Sequence, residues 1–214
     1  ALPFGVFALV AKVVAMSGLD AFYSVAYFFV TVLVALGVFF FLILPLLLKV
    51  IGGLSPWAHF KAMGPALLTA FSTSSSAATL PVALDCMEER AGVSNRICSF
   101  TLPLGASVNL SATALYECIV VFFIAQAYGV ELTLAIQFVI LLMAILTSMG
   151  MAGIPSASLI AIVIILQSVG LPAEGIALVL AVERFLDMLR TTVNVFGCSC
   201  CTALIASSEG EKGL

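Results

Sequence analysis

The 214-residue sequence is 63% hydrophobic and 9% charged, with a mean hydropathy of +1.28. Soluble domains carry about 25% charged residues, so this composition excludes a soluble globular protein and points to an integral membrane protein. The formal net charge of −3 comes without basic clusters, which excludes a nucleic-acid partner.

In chain order, residues 1–18 open directly on apolar sequence with neither a charged leader nor a small-residue cleavage site, so no signal peptide is expected. The opening reads as the middle of a longer chain. Asp20 marks a loop. Residues 21–51 form an aromatic-rich apolar run closed by Gly52 and Gly53, long enough for one tilted spanning helix. Pro56-Trp57-Ala-His59-Phe-Lys61 reads as an interfacial turn with a belt aromatic.

Residues 62–89 are apolar but interrupted by Ser72-Thr73-Ser74-Ser75-Ser76-Ala-Ala-Thr79-Leu-Pro81. Each apolar half is too short to span, and Pro81 breaks a regular helix. A re-entrant hairpin with a polar tip fits better than a kinked helix, because five consecutive hydroxyl residues exceed what a kink needs. Residues 97–128 are broken by small and polar positions from Gly105 to Thr113, including Ser107, Asn109 and Ser111, as in the discontinuous helices of transporters. Glu117 follows at depth, either as a functional carboxyl or as part of a structural network with Tyr116. Residues 132–170 repeat the hairpin pattern around Ser148-Met149-Gly150-Met151-Ala-Gly153-Ile154-Pro155-Ser156. Residues 176–206 form a final helix.

Two hairpins that return to their own side bring Lys49, Lys61, Arg90, Arg96 and Lys212 to one face and Asp20, Glu131 and Glu174 to the other. The basic face, with the C-terminus, is then cytoplasmic. Interrupted segments in corresponding halves indicate inverted repeats around a midplane site. That site falls on the final helix, where Asp187, Arg190, Thr191 and Asn194 stand at i, i+3, i+4 and i+7 on one face. Burying a charge at mid-bilayer costs roughly 2.5–3.5 kcal/mol, so the cluster is either a structural ion pair or a ligand site. Cys86, Cys98, Cys118, Cys198, Cys200 and Cys201 read as buried free thiols. A thiol enzyme would need a base, and the single histidine, His59, lies far off at an expected interface, so no enzyme is read here. An anion channel is the alternative of a different class, although the polar residues gather at one depth rather than in repeated rings.

The motifs Ser74-Ser75-Ser76-Ala-Ala-Thr79-Leu-Pro81, Asn109-Leu-Ser111-Ala-Thr113-Ala-Leu-Tyr-Glu117, Gly150-Met-Ala-Gly-Ile-Pro155 and Asp187-Met-Leu-Arg190-Thr191-Thr-Val-Asn194 resemble the sodium/dicarboxylate symporter family, which includes the glutamate transporters. The resemblance implies an all-α elevator-type transport domain over residues 19–214, after a partial scaffold helix over 1–18. It implies a homotrimer held by scaffold helices that precede this segment. By the same resemblance Arg190 clamps the side-chain carboxylate of an acidic amino acid and Asp187 accepts its ammonium. Thr191, Asn194 and Thr113 hold the remaining polar groups, and Ser76 and Ile154 contact substrate through backbone. Sodium ligands are implied at the carbonyls of Gly105, Asn109 and Asn194, and in a second set at Ser107, Ser148, Met149 and Met151. Two family carboxylates are replaced, by Ser111 and by Cys198. These departures weaken sodium sites, and Glu117 occupies the position of a proton carrier. A proton-coupled glutamate or C4-dicarboxylate symporter, and a substrate-binding variant uncoupled from sodium, are therefore the alternatives.

Overall fold

A computed structural model describes residues 23–150 and 155–211. The expected helix over 1–18, Asp20, Met151, Ile154 and Lys212 lie outside the described residues. Those described form helices and turns, with no strand among them.

Helix α1 covers Tyr23–Gly52, 30 residues. At 1.5 Å per residue this is about 45 Å, more than the ~30 Å of a hydrocarbon core. Its buried seam is Phe28, Val32, Leu36, Phe40, Leu44 and Leu48. A residue taken every fourth position drifts by about 40° per step on an ideal α-helix. The π-helical stretch Phe39–Ile43 winds less per residue and slows that drift. Gly53, at φ 65°, ends the helix in the left-handed conformation that suits glycine.

Helix α2, Pro56–Thr73, is capped by Ser55. It starts earlier than the expected start at residue 62, because Pro56 at the first helical position needs no hydrogen-bond partner for its nitrogen. The stretch read as an interfacial turn is thus helical. Helix α3, Ser76–Asp85, continues into a π-helical turn at Cys86–Arg90. The polar tip is shorter than expected. Ser74 turns the chain at φ 52°, Ser75 Oγ accepts from Ala78 N at 3.2 Å, and Thr73 Oγ1 accepts from Ser75 N at 3.2 Å. The hydroxyls cap helix ends rather than uncoil them. Pro81 sits inside α3 and costs one hydrogen bond without ending the helix.

Helices α4, Asn95–Val108, and α5, Ser111–Ala127, follow one another with only Asn109 and Leu110 between them. Helix α6 covers Leu134–Met149 and α7 covers Ser158–Ser168. A 3-10 turn, Ala173–Leu178, leads into α8, Leu180–Ser208. Among the described residues three runs are long and apolar enough to cross a membrane: α1, α4 with α5, and α8.

At one end of the bundle Ser207 Oγ donates to Gly52 O at 3.2 Å and Ser94 N donates to Glu211 Oε2 at 3.0 Å. The base of α2 and the end of α3 lie there too, around a shared cavity. The α5 terminus, the start of α6 and the turn at Gly175 share the opposite end, where a Cβ on Gly175 would collide with Ile124. Each helical pair, α2 with α3 and α6 with α7, therefore returns to the end it left. The continuous runs α4–α5 and α8 connect the two ends. Helix α8 is the centre: 67% of its most apolar window is buried, against 17% for α1 at the edge.

Candidate functional site

The middle of α8 carries buried charge. Glu183, Asp187, Arg190, Thr191 and Asn194 share one face and are all buried, Arg190 to 2% exposure. Arg190 Nη2 donates to Asp187 Oδ1 at 2.5 Å and to Glu183 Oε1 at 3.2 Å. Two carboxylates thus face one guanidinium, with Arg184 Nη1 a further 3.9 Å from Asp187 Oδ2 at the exposed edge. Removing an ion pair from water is favourable only when its remaining donors and acceptors are also satisfied.

Those partners come from other elements. Tyr116 of α5 donates its hydroxyl to Glu183 Oε2, and its ring lies 4.2 Å from Arg190 Cζ, close enough for a cation–π contact. Ser158 Oγ at the start of α7 donates to Glu183 Oε1 at 3.3 Å. The amide of Ser156, in the turn before α7, donates to Asp187 Oδ2 at 3.0 Å. Asn194 bridges to α5: its Nδ2 donates to Thr113 Oγ1 at 2.8 Å, and its Oδ1 accepts from Ala112 N at 2.9 Å. Ala112 lies in the first turn after the α4–α5 break, where a backbone amide lacks an intrahelical partner, whereas the Thr113 amide donates to Leu110 O at 3.0 Å. The break therefore has a local cause, an asparagine side chain that takes over an orphan amide.

Of the residues singled out in the sequence, Ser76, Gly105, Asn109 and Asn194 line one cavity of about 20 Å³ together with Cys198. Thr113 is bonded to Asn194 and Asp187 to Arg190, as above, and Thr191 is buried on the same face of α8. Glu117 is buried behind this group, and its Oε2 accepts from Thr147 Oγ1 of α6 at 3.0 Å. The second expected sodium set lies at the ends of α4 and α6. Ser107 is exposed, with Oγ 3.4 Å from Pro103 O. Ser148 is buried and donates to Ile145 O at 2.9 Å, whereas Met149 is 47% exposed. Met151 and Ile154 lie outside the described residues.

Sequence reasoning missed Glu183 as part of the site, although it stands four residues before Asp187 on the same face. It also missed Ser156 and Ser158, which no periodicity ties to α8. His59 is helical and buried to 6% exposure, with Nε2 3.0 Å from Ser199 Oγ. Three buried side-chain atoms have no hydrogen-bond partner among the described residues: Ser74 Oγ, Glu117 Oε1 and Arg190 Nη1.

Residues 1–208 match the family model described as the sodium:dicarboxylate symporter family. The chain belongs to this family. It is 44% identical over 197 residues to excitatory amino acid transporter 1 of Bos taurus, covering 91% of this chain and 36% of that protein. The figures are the same for excitatory amino acid transporter 1 of Homo sapiens. Excitatory amino acid transporter 3 of Mus musculus is 41% identical over 197 residues, covering 92% of this chain and 38% of that protein. The chain spans a little over a third of the length of these curated relatives.

The α4–α5 break beside the charged face of α8 is electrostatically different. The small cavity there has room for about one water, and no carboxylate is among its described lining. Asn109 Oδ1 accepts from Ser111 Oγ at 3.1 Å, and Asn109 Nδ2 lies 3.6 Å from Cys201 Sγ. The Cys198 thiol donates to Leu102 O at 3.7 Å, and a Cβ on Gly105 would collide with its sulfur. Hard cations favour several oxygen ligands. What this break offers is neutral amides, carbonyls and a thiol.

Proposed function

We propose that this chain carries the substrate site of a secondary active symporter for acidic amino acids, glutamate or aspartate, driven by a cation gradient across the plasma or inner membrane. One observation carries the reading. Arg190 is almost fully buried, its Nη2 is held by two carboxylates, and its Nη1 has no partner among the described residues. Buried donors are normally satisfied, and a free guanidinium edge suits the planar fork of a carboxylate. Arg190 grips the side-chain carboxylate of the substrate. Asp187 accepts its ammonium, while Asn194, Thr191 and Thr113 hold the α-carboxylate and the remaining donor. Ser76 and Ile154 close on it through backbone. The names of the relatives, excitatory amino acid transporters, support the same substrate class.

The two helical pairs enter the bilayer from opposite sides as re-entrant hairpins, and the segment over residues 148–158 is the outer gate. The basic end, with Lys49, Lys61, Arg90 and Arg96, faces the cytoplasm together with the C-terminus. The whole protein is a homotrimer whose transport domain moves as an elevator.

Sodium is the coupled cation, at sites weakened by Ser111 and Cys198. A second reading has its own observation: Glu117 is a buried carboxyl with one oxygen on Thr147 and the other without a partner among the described residues, as a proton carrier requires. Calorimetry of the full-length protein with aspartate, glutamate and a neutral amino acid, at two sodium levels, tests the substrate. Acidic ligands should bind and the neutral one should not; equal affinity for all three overturns the proposal. Uptake into liposomes separates the ions. Transport that needs sodium and ignores a pH gradient rules out the proton.

A further inference from the structure

The buried charges of α8 reach the surface through one side chain. Arg184 Nη1 lies 3.9 Å from Asp187 Oδ2, and the Arg184 side chain is 60% exposed where that of Asp187 is 5%. The same carboxylate oxygen accepts from the Ser156 amide at 3.0 Å, and its twin is held by Arg190. Arg184 therefore stands at the rim, while Glu183, Asp187 and Arg190 stand inside.

Helix stability does not account for this arginine. A basic residue placed before its acid is the weaker of the two orientations on a helix. An ion pair this long, with one partner mostly exposed, contributes little.

Its place in the charge distribution is more telling. Lys49, Lys61, Arg90 and Arg96 are all exposed at the basic end, and Arg190 is buried. Among the described residues Arg184 is thus the one exposed cation outside that end. It lies four residues, about 6 Å, from the start of α8. Helix α8 starts at the end of the bundle where Glu131 and Glu174 are exposed. Those two carboxylates repel a solute of net negative charge, and Arg184 attracts it.

An acidic amino acid at neutral pH has two carboxylates and one ammonium, so its net charge is about −1. A neutral amino acid, as a zwitterion, gains nothing from a distant cation. We infer that, given a site for acidic amino acids as proposed above, Arg184 is the rim charge that steers the anionic substrate from solution toward Arg190. Arg190 then makes the lasting contacts, and Arg184 acts before them. A rim charge sets the association rate and its salt dependence, whereas a buried partner sets dissociation.

The test uses the full-length protein with radiolabelled aspartate and rapid filtration, which gives association and dissociation rates separately. Ionic strength is raised with choline chloride at constant sodium, so that the coupled cation does not vary. Arg184→Gln should slow association about fivefold at low ionic strength, a modest loss beside the roughly 10–10³-fold of whole steering fields. The difference should vanish near 1 M salt, where the screening length is about 3 Å. Dissociation should stay within about twofold. Arg184→Lys keeps the charge and should keep most of the rate, and Lys61→Gln, at the basic end, should change nothing. Unaltered association in Arg184→Gln, an equal loss at both ionic strengths, or a loss carried by dissociation overturns the inference and leaves the reading of the site intact. Aspartate that fails to bind even the unaltered protein overturns both.

Discussion

The two halves of α8 solve burial in opposite ways. The half before Asn194 places three charged side chains, Glu183, Asp187 and Arg190, in the interior and surrounds them with donors from α5 and α7. The half after it carries Cys198, Ser199, Cys200 and Cys201, with no charge, and meets its neighbours through neutral hydroxyl bonds and weak sulfur contacts. The first half is tied by specific hydrogen bonds to segments that meet only there. The second is tied through neutral groups only, Ser199 to His59 of α2 and Thr202 to Thr101 of α4, with Gly105 packed closely on Cys198. Under the proposed function ligand specificity resides in the charged half, and the thiol half is a packed neutral wall beside it.

The largest effect is expected at Arg190. Arg190→Ala leaves two buried carboxylates without their cation, which costs about 3–5 kcal/mol for a broken buried pair, and it removes binding of aspartate and glutamate. Adding Glu183→Gln should return part of the stability and none of the binding. Thermal melting and calorimetry on both variants read the two effects separately. If the double variant binds an acidic amino acid, the charged half is structural only.

Cys198→Asp tests the other half. A carboxylate placed in the small neutral cavity is an uncompensated buried charge, costing several kcal/mol, and a hard cation would relieve it. The expected result is a lower melting temperature that sodium partly restores and potassium restores less. Cys198→Ala should cost about 1 kcal/mol or somewhat more through the lost sulfur packing, and it should leave substrate affinity unchanged. A sodium response in the unaltered protein as large as in Cys198→Asp would show that neutral ligands suffice at the break.

The contrast also explains what the sequence made legible. The face of α8 was readable because 3.6-residue periodicity alone brings Asp187, Arg190, Thr191 and Asn194 together. The interruption at Asn109 was readable from small and polar residues in an apolar run. Glu183 was passed over although it stands on the same face, and its neighbour Arg184 is 60% exposed in its side chain where Glu183 is 4%. Ser156 and Ser158 could not be placed, since their partners lie 31 and 25 residues away. His59 meets Ser199 across 140 residues, a pairing local pattern does not carry. The π-helical stretch of α1 has no residue signature of its own; packing against α8 produces it. The short tip at Ser74 and Ser75 was overestimated because hydroxyl runs signal helix caps as well as loops.

The smallest effect lies at the basic end, where the tail after α8 is clasped to α4. Ser94 donates its hydroxyl and its amide to the two oxygens of Glu211, and these bonds, with a lesser contribution from Arg96, hold the carboxyl below its ordinary value of 4.5. A carboxyl with a lowered folded-state value stabilises the clasp in full above the ordinary value, and the contribution is lost as pH falls through the lower one. The clasp therefore holds at neutral pH and opens only in acid. Because Glu211 is solvent-exposed and its charge is screened, Glu211→Gln should lower the neutral-pH melting temperature slightly and remove that part of the acid limb, with substrate affinity unchanged. Hydrogen exchange at the Ser94 amide, slow at neutral pH and fast in acid or in the variant, reads the clasp directly. Exchange that is equally fast in the unaltered protein at neutral pH would mean that the α4 cap does not depend on the tail.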